Sequence, residues 1–456
     1  MKPRRIVFFV KSLRFLRYFK SLLILLLERG FGVIVVFDAS KVETPVDDSL
    51  VRLKTKFNDF EWVNGPLRTD KFRRLIIACR NFLNYQFLLR KGVAAWRIKR
   101  HFDYLPRFCR QWLTATGRLG LILAKSRLAE WVCRLIEKIT PADPGISRFL
   151  AAYQPVVVLV SYRGFPCLSP DLDYLKAAKL LGLPAVAIVS SWDQPTTKSL
   201  IQITPDRVFV WNKEHEAVLV RDHRIPREKI SVVGAPQFDL FFSKNKPFRD
   251  RADFCREFKI KNAAPFLLYV AASGERSDLV VREIAVFFLN NPEPALRKIS
   301  ILVRPYPGRE EHFANLRLPN VSVMSAPADS RRSLVDDQDY FDAIHHSFVV
   351  VTLTSTALLD AAAADHPCVM LIDSRFRNIQ SDEHLSSIEK SGAFYRLQSI
   401  AELARLSTQL MAGQDYLRDA RAHYVSEFLR PAGVNRSAAS VILAELEKLM
   451  LVQSSH

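Results

Sequence analysis

The sequence predicts an α/β protein of two open, parallel-sheet domains, the first interrupted by a helical insertion. Three observations predict it. Short runs rich in Val, Ile and Phe recur along the chain and alternate with amphipathic stretches of helical period. A charged, plain stretch, FSKNKPFRDRADF (242–254), divides two such series. A basic stretch of helical pattern, about 68–137, interrupts the first series. The expected division is 1–245, 246–425, and a C-terminal helix at 426–456 that returns to the first domain. With 456 residues, 49% of them hydrophobic, the chain can fill more than one core, since single cores stop growing at about 250–300 residues.

The first series opens with RIVFFV (5–10), a β-branched and aromatic run that reads as a strand. Leu16 to Arg29 has a helical pattern, Gly30 and Gly32 end it, and VIVVFDA (33–39) is the next strand. A dinucleotide-binding fingerprint would place GxGxxG after the first strand. VKSLRFLRYF holds no glycine, which argues against an oxidoreductase. After the basic stretch come the strand VVVLVSY (156–162), a helix ending at Gly182 and the strand PAVAIVS. DRVFVWN (206–212) is a strand, KEHEAVLVRDHRI (213–225) a helix and KISVVGAP (229–236) a short strand with a turn. The second series holds PFLLYVAAS (265–273), KISILVRPYPG (298–308), NVSVMSA (320–326), FVVVTL (348–353) and CVMLID (368–373). The tail from about Ala401 reads as helical to Leu451.

The formal net charge of +19 suits nucleic acid, an anionic membrane or a phosphorylated substrate. Between Arg68 and Glu130 fifteen Lys and Arg face only Asp70, Asp103 and Glu130, a local net of +12. Arg interleaved with Phe, Trp and Leu is the pattern of an interfacial helix, although solvated helix faces give it too. No zinc knuckle, aromatic RNA module or recognition-helix pattern accompanies the charge, so no specific nucleic acid is expected. The cysteines at 79, 109, 133, 167, 255 and 368 form no CxxC pair, which suits a reduced, cytoplasmic protein. The apolar start has SLLILLL as its longest uncharged run, against the roughly 20 residues a span needs. The expected location is cytoplasmic, peripheral on the inner face of the cell membrane.

The second series carries three phosphate signals. Thr354, Ser355 and Thr356 follow the strand ending at Leu353 and precede a helix starting near Ala357. Hydroxyls and free amides at a helix start suit a diphosphate, and ordinary capping is the alternative. Asp360, one turn inside, would then serve a ribose or sugar hydroxyl. Arg304 ends a strand just before Pro305 and offers a planar fork to phosphate oxygens. Ser273 and Gly274, in YVAASGERSD (269–278), form a flexible strand-end turn for phosphate or ribose.

SWDQPTTKS, PDRVFVWNKEHEAVLVRDHRIPREKISVVGAPQFD, LVRPYPG and TSTALLDAAAADHPCVML cover much of 155–373. Together they resemble a GT-B glycosyltransferase of bacterial surface-polysaccharide type. They are also similar to CDP-glycerol glycerophosphotransferases and UDP-N-acetylglucosamine 2-epimerases, which share that fold. Asp360 stands where that pattern has Glu, and His366 where it has Gly. The resemblance implies two Rossmann-like domains facing across a cleft. It implies a nucleotide sugar (UDP-, GDP- or CMP-linked) as substrate on the C-terminal lobe, with no cofactor. It implies a glycan or polyprenyl-linked acceptor on the basic N-terminal lobe.

SSWDQPTTKS (190–199) leaves the strand PAVAIVS and presents a full set of polar groups. Asp193 is the candidate base for an inverting transfer. Lys198 is the candidate cation for phosphate, and Trp192 either stacks on a sugar or fills the base of the loop. The structural alternative has Trp192 packed and Asp193 capping a short helix through Thr196 or Thr197. Arg14 and Arg17, after the first strand, and Asp239, after GAPQF, complete the acceptor-side candidates. Glu214 and His215 read as a helix start capped by Asn212. His345 and His346 read as structural. No DxD pair follows a strand, VDDQD (335–339) reading as a loop or helix start, so a metal-free mechanism is expected.

Overall fold

The computed structural model describes residues 4–39, 48–162, 170–244, 246–261, 264–272, 276–306, 309–324, 336–354, 356–380 and 383–454. The chain divides into two compact units, one of residues 1–237, 382–384 and 430–456, the other of residues 238–381 and 385–429.

The first unit is built on β1 (Arg5–Val10), β2 (Gly32–Asp38), β3 (Phe60–Gly65), β4 (Val157–Tyr162), β5 (Ala185–Val189), β6 (Arg207–Val210) and β7 (Ile230–Val232). They form one parallel sheet in the order β3-β2-β1-β4-β5-β6-β7. Its central strands read as unbroken apolar runs because both faces are covered. Ile6, Phe8 and Val10 enter the core beneath helices Lys20–Glu28 and Ala438–Ser454. Val7 and Phe9 enter the opposite core with Ile146, Leu150 and Leu175. The C-terminal helix inserts Ile442 and Leu446, both fully buried.

The continuous helix expected over 16–29 is broken. Leu13–Leu16 is helical, Arg17–Phe19 tightens to a 3-10 turn, and the long helix is Lys20–Glu28. Phe19 is the pivot, its ring edge-on to Phe8 of β1 at 5.2 Å between centroids. Anchoring that ring fixes where the chain must turn.

The basic stretch folds as helices Arg73–Lys91, Ala95–Asp103, Arg107–Ala124 and Arg127–Ile139. The first is tied into the unit. Arg80 is fully buried and donates to Glu137 at 2.9 and 3.1 Å and to Asp173 at 2.9 Å. Arg68 bridges Asp70 and Asp173, and Lys176 reaches Glu137 at 3.0 Å. Part of the basic excess is therefore neutralised internally.

The second unit contains β8 (Phe266–Val270), β9 (Ser300–Arg304), β10 (Val321–Val323), β11 (Val349–Thr352), β12 (Cys368–Leu371) and β13 (Tyr395–Leu397). Their order is β10-β9-β8-β11-β12-β13, again parallel. In each sheet the order reverses once, between β1 and β4 and between β8 and β11. Open α/β sheets bind ligands beyond the carboxyl ends of their strands at such reversal points. VDDQD belongs to helix Asp336–His346 from Asp336 onward. Asp339 and Asp342 there pair with Arg249, a structural use of that acidity.

Candidate functional site

In the first unit the 190–199 segment leaves the carboxyl end of β5, two strands from β1. Gln194 tethers it: its Oε1 accepts from the Ser190 amide at 3.1 Å, and its Nε2 donates to the Tyr162 carbonyl at the end of β4. Two buried histidines hold the other side. His215 Nε2 lies 3.0 Å from the Trp192 carbonyl. His223 Nδ1 accepts from the Ile201 amide at 3.0 Å, so its Nε2 carries the proton directed at the Pro195 carbonyl, 2.7 Å away. Burial lowers both imidazoles to about 4, so both are neutral near pH 7. Helix Arg73–Lys91 adds Lys91 Nζ on the Thr196 carbonyl at 3.2 Å and Asn84 Oδ1 under the Leu200 amide at 3.0 Å.

Asp193 sits within this frame with its side chain 15% exposed, paired to Lys198 at 2.8 Å. Ser191 Oγ also donates to it. Burial works to raise the Asp193 pKa. The charges of Lys198 and His384, with the hydrogen bonds from Lys198 and Ser191, outweigh it and hold the carboxyl well below the usual range. Thr196 and Thr197 donate to the Asp193 main-chain carbonyl at 3.2 and 2.8 Å, while its side chain makes no capping bond. Asp193 is therefore an ionised, paired carboxylate. Lys198 is committed to it rather than held out alone for phosphate.

Trp192 packs within the first unit. It is 6% exposed, with its ring edge against His384 at 4.7 Å. Asp239 is 6% exposed at the start of helix Asp239–Ser243 in the second unit. Arg17 lies over its neighbour Tyr18, 5.0 Å from the ring centroid, with Nη2 3.3 Å from the hydroxyl. Arg14 falls in helix Leu13–Leu16. Lys11, buried just past β1 at the reversal point, escaped the sequence reading because it looked like one more charge in a basic start.

In the second unit the carboxyl ends of β8, β9 and β11 are stitched together. Thr352 Oγ1 donates to the Val270 carbonyl at 2.9 Å, and the Ala271 amide to the Arg304 carbonyl at 3.0 Å. Gln380 Nε2 bridges the Leu353 and Leu371 carbonyls at 2.9 and 2.7 Å. At this edge the Arg304 guanidinium lies 3.9 Å from the Tyr340 ring centroid. The Tyr340 hydroxyl donates to Asp360 Oδ2 at 2.9 Å. Two sequence candidates are thus joined through a residue that sequence reasoning missed. Among the described residues Arg304 makes no ion pair.

Thr356 sets the start of helix Ala357–Ala363 without a side-chain cap. Thr354 is half-buried on the preceding bend. Ser273, Gly274 and Ser355 lie outside the described residues. Ser277 was missed. It is fully buried at the start of helix Asp278–Leu289, and among the described residues its Oγ has no hydrogen-bond partner. Its signal was present in SGERSD, where a small hydroxyl precedes an acidic first turn. Such a helix start presents free amides and the positive dipole end to an anion.

No family model matches the chain, and no curated protein matches it. Solved structures match it over nearly their full length. A UDP-GlcNAc 2-epimerase from Neisseria meningitidis bound to UDP-GlcNAc is 12% identical, with a TM-score of 0.54 over 97% of this chain and 100% of that chain. The chain has a GT-B-like fold. A glycosyltransferase from Rickettsia africae is 12% identical, with a TM-score of 0.52 and 99% of each chain covered. The wall teichoic acid polymerase TagF is 9% identical, with a TM-score of 0.51 over 100% of this chain and 91% of that chain. At such identities the likeness shows a shared fold alone. Among the described residues no cluster of His, Cys, Asp and Glu is placed to hold a metal ion, and no helix is long and apolar enough to cross a membrane.

Proposed function

We propose that the chain is a glycosyltransferase moving a sugar from a nucleotide-activated donor to a glycan or polyprenyl-linked acceptor in cell-surface polysaccharide assembly. The observation that carries the reading is the Arg304–Tyr340–Asp360 constellation at the reversal point of the second sheet. Arg304, steadied on an aromatic face with no ion pair among the described residues, suits a diphosphate. The helix start at Ser277 adds a second anion-binding element. Asp360, oriented by Tyr340, suits a ribose or sugar hydroxyl. Charge developing on the leaving diphosphate is met by Arg304 and backbone amides.

The first unit supplies the acceptor side. Asp193 is the base for an inverting transfer, and its pairing defines when it can act. While Lys198 holds it, the carboxylate is too weak a base to take a proton readily. A substrate phosphate that draws Lys198 away raises its pKa and frees an oxygen for the attacking hydroxyl. Lys11, Arg14 and Arg17 line the chain just after β1.

Turnover with a panel of UDP-, GDP- and CMP-sugars and a polyprenyl phosphate acceptor tests the reading, with product masses recorded. Transfer with release of the nucleotide supports it. CMP release with a polyol phosphate on the product indicates CDP-polyol phosphotransfer instead, the fold likeness to TagF giving that reading its support. A changed sugar nucleotide formed without acceptor indicates epimerisation. Asp193→Asn is expected to leave donor binding intact and lower transfer by about 10²–10⁴-fold, the usual contribution of a positioned base.

A further inference from the structure

We infer that the outward face of helices Arg107–Ala124 and Arg127–Ile139 docks on an anionic lipid surface. Helix Arg127–Ile139 is oriented opposite to an ordinary surface helix. Its apolar stripe, Leu128, Trp131, Val132, Leu135 and Ile139, follows the i, i+3, i+4, i+7 spacing that normally faces a core. Here that stripe faces outward, with exposures of 69%, 59%, 40%, 38% and 70%. The acids lie on the inner side. Glu130 takes Arg90, Arg134 and Arg224, and Glu137 takes Arg80 and Lys176. A charged inner face anchors the helix and leaves its apolar face without cover from the first unit.

Helix Arg107–Ala124, kinked at Gly117, exposes apolar side chains as well. Phe108, Trp112, Leu119 and Ile122 are 68%, 44%, 61% and 66% exposed. Residues 104–140 hold half of the large hydrophobic side chains that are exposed among the described residues, 12 of 24. Soluble monomers do not collect so much apolar surface in one place without a partner.

Charge selects the partner. Arg107, Arg118, Lys125, Arg127 and Lys138 are exposed within 104–140, whereas the only acids there, Glu130 and Glu137, are buried. The face therefore offers apolar side chains and positive charge with no negative charge among them. A second copy meeting it by twofold symmetry would set these bases against each other. Nucleic acid would satisfy the bases and leave Trp112, Trp131 and Ile139 in water. An anionic bilayer surface meets both demands, its phosphates pairing with the bases while the apolar side chains enter the headgroup boundary. No helix among the described residues is apolar and long enough to go deeper.

The inference stands apart from the transfer reading, because its test needs neither donor nor acceptor. Full-length protein is sedimented with phosphatidylcholine vesicles, with and without phosphatidylglycerol, across a salt series. Binding is expected only with phosphatidylglycerol and is expected to weaken with salt. Replacing Arg118, Lys125 and Arg127 together by Gln should weaken it by about a hundredfold, at about fivefold per charge. Trp112→Gln with Trp131→Gln should weaken it as well and leave the thermal transition unchanged, both side chains being outside the core. Equal binding to neutral vesicles overturns the inference, as does no binding to either. Self-association without vesicles, lost in the tryptophan variant, overturns it in favour of a second copy. Capture of duplex RNA by wild type and tryptophan variant alike, with no vesicle binding, overturns it in favour of nucleic acid.

Discussion

Removing Lys198 should unsettle the 190–199 segment by breaking its pair with Asp193. The two side chains are 23% and 15% exposed and 2.8 Å apart. At an effective dielectric of about 20 the gross attraction is about 6 kcal/mol, and desolvation of both groups offsets most of it. Breaking a buried pair from one side costs about 3–5 kcal/mol. The residual exposure lowers the expectation for Lys198→Met to about 2–3 kcal/mol, or about 5–10 °C in Tm for a unit of this size. Asp193→Asn combined with Lys198→Met removes the stranded charge and should recover about 1.5–2 kcal/mol of that loss. The assay is thermal unfolding followed by tryptophan fluorescence. All six tryptophans lie between Trp62 and Trp211, so the signal reports the first unit alone. A coupling energy near zero, with Lys198→Met as stable as the wild type, would refute the pairing and with it the account of how Asp193 is held ionised.

The two buried histidines predict an acid limit. Their pKa falls from 6.5 in the unfolded chain to about 4 in the fold. Between pH 6.5 and 4 the unfolded state binds the extra protons, so stability is full above pH 6.5 and declines as pH falls toward 4. The decline amounts to about 3 kcal/mol per histidine, read as a fall in the tryptophan-monitored Tm. Arg80→Met should cost about 3–5 kcal/mol, because Glu137 and Asp173 remain buried with fewer positive partners; urea denaturation measures it. Arg304→Met should weaken binding of the nucleoside diphosphate by about ten- to a hundredfold in Kd by calorimetry, the loss of charge-assisted hydrogen bonds worth about 1.5–3 kcal/mol. Tyr340→Phe should weaken it less, since the ring remains under Arg304.

The strands buried on both faces were legible because they must be apolar throughout, as RIVFFV and FLLYV are. β3 and β13 were not legible. They are edge strands carrying Glu61, Asn64 and Arg396, and they lack an apolar run. The break at Arg17–Phe19 was hidden because Phe19 takes its position from Phe8, a tertiary contact no local pattern records. The strand-end location of Asp193 was legible from the run that precedes it. Its partner was not, because Lys198 reaches it through a single helical turn that the sequence leaves open. Tyr340 lies 36 residues from Arg304 and 20 from Asp360, and only the fold brings the three together. The basic stretch gave its charge but not its orientation. Burial of Glu130 and Glu137 decides which side faces out, and that depends on Arg80, Arg90 and Lys176 waiting beneath.

The most direct measurement of the central claim, that the second unit holds the nucleotide donor, is hydrogen exchange of the full chain with and without saturating UDP, GDP, CDP or CMP. The account predicts that at least one of them slows exchange in the segments after β8, β9 and β11, around Ser277, Arg304 and Asp360, and that Arg304→Met removes the effect. Unchanged exchange in those segments with every nucleotide, or protection confined to the first unit, would contradict it.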